Sequence, residues 1–279
     1  MWPRRTQLDS LERVFGSARL VILEDGSTDD TAGRLRVWAE HDPRVTILSP
    51  APSNQLQTKE RRISDCRNRV MRAALDLGVD YVAVADLDEA TQNLDEQQLR
   101  ACFNLRVPWA GCMANNAGLY YDTYALRTLD EWMPGDPARC ADTHGVRACG
   151  LLERGAFLHH DAPPVEVVSA FSGLALYKAP FLHDCSYAST RRDGHTVCEH
   201  VPFHECMRSR GARLWIAPAM IPGGELCRDG LCLPCDMYQV QHHDRCHSSS
   251  IGDFQMSGAQ TASTAAAASA STSVTDPLP

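Results

Sequence analysis

A chain of 279 residues that is 44% hydrophobic can bury a full core, as one large domain or two small ones. A net charge of −8 with no basic stripe excludes nucleic acid as the main partner, so a polyanionic substrate has to be met by a bound cation and a few local Arg or Lys residues. No apolar run approaches the roughly 18 residues of a membrane span, and Met1-Trp-Pro-Arg-Arg5 does not lead into the apolar core of a signal peptide.

In chain order, Leu8, Leu11, Val14 and Phe15 have the spacing of a short amphipathic helix over residues 6–15. Leu20–Leu23 reads as a buried strand running into the acidic turn Glu24-Asp-Gly-Ser-Thr-Asp-Asp-Thr31, where Asp29 or Asp30 would cap a helix over 31–41. A second short strand follows at Val45–Leu48, then a Pro-containing loop over 49–59. The spacing predicts a long helix over 61–77, with Ile63, Cys66, Val70, Ala73, Ala74 and Leu77 on one side and Arg61, Arg62, Arg67, Arg69 and Arg72 on the other, stopped by Gly78. Tyr81–Ala85 is a short, partly β-branched apolar run suited to a strand buried on both faces. Helix and strand alternate through the first ninety residues, which predicts an α/β fold with a mainly parallel central sheet flanked by helices.

The strand at Tyr81–Ala85 ends in Asp86, Asp88 and Glu89, and the strand at Leu20–Leu23 ends in Glu24 and Asp25. Ligands of open α/β sheets sit beyond the carboxyl ends of the strands, so two acidic strand ends mark a candidate site. Asp86 and Asp88, two apart, can hold one hard cation such as Mg²⁺ or Mn²⁺, which binds through one or two carboxylates plus substrate phosphate.

These blocks together, Glu24-Asp25-Gly-Ser-Thr-Asp-Asp-Thr31, Cys66-Arg67-Asn68-Arg69 and Val84-Ala-Asp86-Leu-Asp88, resemble the nucleotide-sugar half of a GT-A-fold glycosyltransferase. The second half resembles capsule-type enzymes of viruses, bacteria and fungi at Tyr120-Tyr-Asp122-Thr-Tyr-Ala-Leu-Arg127, Phe171-Ser-Gly173-Leu-Ala-Leu-Tyr-Lys178 and Cys198-Glu199-His200-Val201 with Phe203-His204. The resemblance implies a GT-A-like, Rossmann-like domain over 1–225, with a nucleotide-sugar half (1–90) and an acceptor half (91–225). It implies donor contacts from Glu24, Asp25, Arg67, Asn68, Asp86 and Gly173, and a metal (Mn²⁺ or Mg²⁺) held by Asp86, Asp88 and a C-terminal histidine, His242 or His243. Glu199 would be the general base, with Asp88 beside it in the catalytic set. The partners implied are a nucleotide-diphosphate sugar and a glycan or similar hydroxyl acceptor.

GT-A enzymes open with one more strand before the first helix; here only five residues precede Thr6, so that strand is missing or supplied elsewhere. His200 and His204, four apart, share a helix face, without the Glu placement of a metalloprotease. Residues 226–256 are rich in Cys and His, and Cys227, Cys232, Cys235, His242, His243 and Cys246 admit a small zinc site. Residues 257–279, almost without large apolar side chains, are expected to be a disordered tail. The twelve cysteines fit disulfides in a secretory lumen or thiols in the cytoplasm. A soluble cytoplasmic protein is the default, and a Golgi luminal domain follows if the chain is a fragment.

Two further readings compete. Phosphotransferases with an Asp nucleophile also begin at Asp-x-Asp, but they want Thr or Val where Ala90 stands. A sugar-binding relative that lost turnover together with its first strand is the other.

Overall fold

The computed structural model describes residues 5–49, 58–87, 91, 93–117, 120, 122–129, 158–191, 194, 196–223 and 265–271. The elements of the first ninety residues are α1 (Arg5–Phe15), β1 (Ser17–Leu23), α2 (Thr31–His41), β2 (Val45–Leu48), α3 (Lys59–Leu75) and β3 (Tyr81–Asp86). They follow the predicted alternation closely, because each carries its own apolar period. Then come α4 (Glu96–Ala101), β4 (Gly111–Met113), β5 (Arg127–Thr128), β6 (Val165–Ser169), β7 (Leu174–Lys178), α5 (His200–Ser209), β8 (Leu214–Ile216) and β9 (Ala265–Ser271).

The nine strands of the described residues join one sheet in the order β2-β1-β9-β3-β7-β4-β8-β6-β5. β1 pairs with β2 and β4 with β8 in parallel, whereas β3–β7, β4–β7, β5–β6 and β6–β8 are antiparallel. The fold is therefore α/β with a mixed sheet, which corrects the expected mainly parallel one. The alternation that implies crossovers stops after β3, and the short strands beyond it pair in both senses.

The expectation of a structureless tail also fails for Ala265–Ser271. This segment runs as β9 between β1 and β3, antiparallel to both, with Ala267 opposite Val21 on one side and Val84 on the other. Its composition gives no strand pattern. Backbone pairing depends on N–H and C=O groups rather than side chains, and the facing edges of β1 and β3 supply those groups.

The sheet carries apolar packing on both faces. In β1, Val21 and Leu23 lie in one cluster with Val82 and Val84 of β3 and with Cys66, Val70, Met71 and Ala74 of α3. Leu20 and Ile22 lie in the other, with Leu8, Leu11 and Phe15 of α1, Leu35 and Trp38 of α2 and Ala83 of β3. This is the alternation of a strand buried on both sides. Arg44 fixes α1 to the start of β2 through Asp9 at 2.9 Å, Glu12 at 2.6 Å and Asp42 at 2.7 Å. Among the described residues, no helix is long and apolar enough to cross a membrane.

Candidate functional site

The carboxyl ends of β1 and β3 open on the same side of the sheet as the start of α3. Glu24, buried at the end of β1, accepts from the backbone N–H of Ser27 and so closes the acidic turn. Asp25 pairs with Arg62 of α3 at 3.9 Å. Asp86 ends β3, and its N–H donates to the carbonyl of Gly173 at 2.9 Å. The hydroxyl of Thr91 donates to the Asp86 carbonyl, which fixes the chain as it leaves the strand.

Arg67 is the hub. Its helical position suggests a solvated basic face, but the side chain is only 8% exposed and turns toward the sheet. Its Nη2 donates to Asp86 Oδ1 at 2.9 Å, and its Nε lies 2.9 Å from Glu199 Oε1. The guanidinium sits 4.7 Å from the Phe171 ring centroid and 5.9 Å from that of Tyr187. Burial works against its charge, yet Asp86 and Glu199 more than offset this and raise its pKa above the usual guanidinium value. Arg67 is thus engaged by two carboxylates rather than presented to a phosphate.

Glu199 stands at the N-cap of α5, makes no side-chain capping bond, and points its carboxylate at Arg67 instead. Its Oε2 faces the Cys198 thiol at 3.8 Å. Burial, with the Glu199 charge beside it, pushes the Cys198 thiol well up, so this cysteine is not a nucleophile at neutral pH.

Asp122 adds a third carboxylate. It accepts from the backbone N–H groups of Ala125 at 3.2 Å and Ser172 at 2.9 Å. Burial raises its pKa, and the Glu199 charge adds to this, while those hydrogen bonds and Arg67 act the other way. The turn it holds is left-handed at two successive residues, Ser172 (φ 59°) and Gly173 (φ 82°). Glycine at the second position makes the turn sterically easy, and the Ser172 hydroxyl ties it to Asn116 Oδ1. Arg127 is buried and donates to the carbonyls of Tyr124 and Leu126.

Asn68 clamps the backbone of Tyr187, donating to its carbonyl at 2.9 Å and accepting from its N–H at 2.7 Å. Its amide is spent on holding that loop beside Arg67. The histidines of α5 are packed. His204 bonds Ser169 Oγ at 2.9 Å and the Tyr177 hydroxyl at 2.8 Å, and burial lowers its pKa to about 3. His200 stacks on Phe171 at 3.9 Å, and burial, with Arg67 and His204 nearby, lowers its pKa well below the ordinary value.

The structure therefore gathers Asp25, Arg67, Asn68, Asp86, Gly173 and Glu199 around the start of α3 and the strand ends. Asp88, His242, His243 and the cysteines at 227, 232, 235 and 246 lie outside the described residues. The aromatic box of Phe171 and Tyr187 around Arg67 had no signal in the sequence, since Tyr187 lies in a loop without periodicity. His159, His160 and Asp161, not singled out by their spacing, bring ligand atoms within 4.8 Å of one another on an exposed turn.

Asp86 is a partly exposed carboxylate at a strand end with one oxygen engaged by Arg67; carboxylate oxygens are donors of the kind Mg²⁺ and Mn²⁺ take. No family model matches the chain, and no curated protein matches it significantly.

Proposed function

We propose that this protein is a metal-dependent glycosyltransferase with a GT-A-like fold, moving a sugar from a nucleotide-diphosphate donor to a hydroxyl acceptor. The observation that carries the reading is Arg67, which draws together the strand-end acid Asp86 and the helix-start acid Glu199, distant in sequence, at 2.9 Å each. A site of this kind needs one acid at the donor and another at the acceptor, held at fixed separation.

Asp86, with Asp88 beside it in sequence, would hold Mn²⁺ or Mg²⁺; the bound ion supplies Lewis-acid neutralisation of the departing diphosphate. Asp25 at the end of β1 contacts the nucleotide, and the Ser172–Gly173 turn lets the backbone approach the donor closely. Glu199 takes the proton from the acceptor hydroxyl as its oxygen bonds to the anomeric carbon and the bond to the diphosphate oxygen breaks. Arg67 orients the Glu199 carboxylate through Oε1 and so acts as a positioning residue.

The same ion pairs favour a second reading. A carboxylate held by a buried guanidinium at 2.9 Å is engaged before any acceptor arrives, so a protein that binds nucleotide sugars without turning them over is the competing function. A thermal-shift panel of nucleotide-diphosphate sugars with Mn²⁺, followed by a product assay on every donor that stabilises, separates the two. Stabilisation by at least one donor, lost in Asp86→Asn, supports the site. Turnover of that donor selects the enzyme, and stable binding without product selects the binder. A chain indifferent to every donor, or an Asp86→Asn variant stabilised as well as the native chain, overturns the proposal. Release of phosphate from an aryl phosphate, unaffected by nucleotide sugars, would restore the phosphohydrolase reading.

A further inference from the structure

A second group of ligand-bearing side chains gathers at the turn that leads into β6. His159, His160 and Asp161 are neighbours in the sequence, and their ligand atoms all lie within 4.8 Å of one another. Asp161 Oδ2 is 3.1 Å from His160 Nε2 and 3.8 Å from His159 Nδ1. Ligand atoms held about 2.1 Å from a tetrahedral ion stand about 3.4 Å apart, so the two separations bracket what one Zn²⁺ requires. The Asp161 N–H donates to His159 Nδ1 at 3.3 Å, which turns the lone pair of that nitrogen toward Asp161. A bond of that length is weak and gives way readily to a metal.

The turn is held from both ends. The His159 carbonyl accepts from the Ala162 N–H at 2.9 Å and closes a four-residue turn. Pro163 and Pro164 then restrict the backbone that enters Val165. On the other side, Leu158 packs against the core cluster that contains side chains of α3 and α5. Its carbonyl accepts from Asn115 Nδ2 at 2.7 Å, and the same Nδ2 donates to the Pro218 carbonyl at 2.9 Å. Asn115 and Pro218 stand two residues past the ends of β4 and β8. β4 and β8 are parallel to each other, and two antiparallel pairings through β7 make β4 parallel to β3. The turn therefore lies on the side of the sheet where β3 ends in Asp86, the side on which open α/β sheets meet their ligands. Asn115 Oδ1 is buried without a hydrogen-bond partner, an acceptor left open on the amide that pins the turn. Such groups are rare, and an ordered water or an ion is a common reason for them.

We propose that His159, His160 and Asp161 form a binding site for one divalent cation of the Zn²⁺ class. Two imidazoles and a carboxylate suit Zn²⁺ and its neighbours, whereas Mg²⁺ and Mn²⁺ take carboxylates, carbonyls and water. The site thus differs in chemistry from the strand-end acids. Three protein ligands leave a fourth position for water, as in zinc sites that stay open to a reactant. His159 is 44% exposed, His160 30% and Asp161 74%, so that position is reached from solvent. This inference stands on the turn and does not depend on the sugar-transfer reading.

Labelling of histidines with diethyl pyrocarbonate on the full, disulfide-intact chain, mapped by peptide mass spectrometry with and without excess Zn²⁺, tests it. Each imidazole is read separately, so ions taken up elsewhere do not obscure the result. With Zn²⁺, His159 and His160 are expected to react together about tenfold more slowly, because a metal-bound nitrogen has no free lone pair. Excess Mg²⁺ is expected to protect neither. Losing even an outer partner of a metal site costs about 10–100-fold in affinity, so Asp161→Asn should raise the Zn²⁺ needed for half-protection at least about tenfold. That variant changes an exposed side chain and leaves the fold intact. Labelling of both histidines at the same rate with and without Zn²⁺ overturns the proposal. So does protection of one histidine alone, equal protection by Mg²⁺, or an Asp161→Asn variant that needs no more Zn²⁺ than the native chain.

Discussion

Arg67 faces two carboxylates, and the energetic consequence is asymmetric. Removing the guanidinium leaves Asp86 and Glu199 partly desolvated with no countercharge, while removing all three charges together leaves nothing to compensate. Arg67→Ala should cost about 3–5 kcal/mol of stability, as expected for breaking a buried pair. Combining Arg67→Met with Asp86→Asn and Glu199→Gln should recover much of that loss in urea unfolding. Arg67→Lys should fall between, because an ammonium cannot span two carboxylates with a planar fork. A second residue-scale prediction concerns pH. His204, held neutral by burial, has a folded-state pKa of about 3 against an ordinary 6.5, and His200 is shifted in the same direction. Below about pH 6.5 the unfolded chain binds these protons and the folded chain does not, so stability falls as pH drops through that value. Between pH 6.5 and 5.5 the loss should be about 1 kcal/mol per histidine. His200→Phe, which keeps the ring against Phe171 and removes the titration, should reduce the pH slope by about one proton; an unchanged slope would show that His200 takes no part in it.

At the scale of elements, α3 does two things at once: its inner stripe packs on the sheet and its Asn68 holds the Tyr187 loop in place. Tyr187 stacks on Phe203 of α5 at 4.1 Å, so the clamp joins α3 to α5 as well as closing the box around Arg67. Asn68→Ala should destabilise by about 2 kcal/mol, since it leaves a backbone donor and acceptor unmatched. Asn68→Asp, which can still accept from the Tyr187 N–H but cannot donate to its carbonyl, should lose about half as much by urea midpoint. Nothing in the sequence around Asn68 foretold this job, because its partner lies 119 residues away. The same division runs through the molecule. α1, α2, α3 and β1 to β3 were legible because each carries an apolar period long enough to read locally. Glu24, Asp25, Asp86 and Glu199 were legible as acids at strand and helix ends. β4 and β5 are only two or three residues long and have no period, and β9 is made of Ala and Ser; their pairing is decided by distant strands. Arg67's inward turn was hidden for the same reason: a helical wheel assigns it to the basic face, and only Asp86 and Glu199 together bring it in.

For the whole molecule, two disulfides among the described residues decide much of how the chain holds together. Cys102–Cys112 ties the end of α4 to β4, and Cys185–Cys206 ties the loop after β7 to α5. The cysteines were open between thiols, zinc and disulfides from sequence alone, since pairing depends on which elements meet. Their closed loops span 10 and 21 residues. Loop entropy then gives about 3 kcal/mol for each, a large share of the 5–15 kcal/mol typical of a folded protein. Cys66 and Cys198 are by contrast buried thiols, set in the core and beside Glu199. Chain made under oxidising conditions should therefore unfold at clearly higher denaturant than the same chain after reduction. Cys102→Ser/Cys112→Ser and Cys185→Ser/Cys206→Ser should each remove about 3 kcal/mol of that difference. The second pair should matter more to the site, since it anchors the segments carrying Tyr187 and Glu199. In the reduced chain or in Cys185→Ser/Cys206→Ser, donor stabilisation by nucleotide sugars should weaken, whereas Cys102→Ser/Cys112→Ser should leave it close to native. Equal weakening in both variants would mean that the site responds to overall stability alone and that Cys185–Cys206 has no special part in holding Glu199 against Arg67.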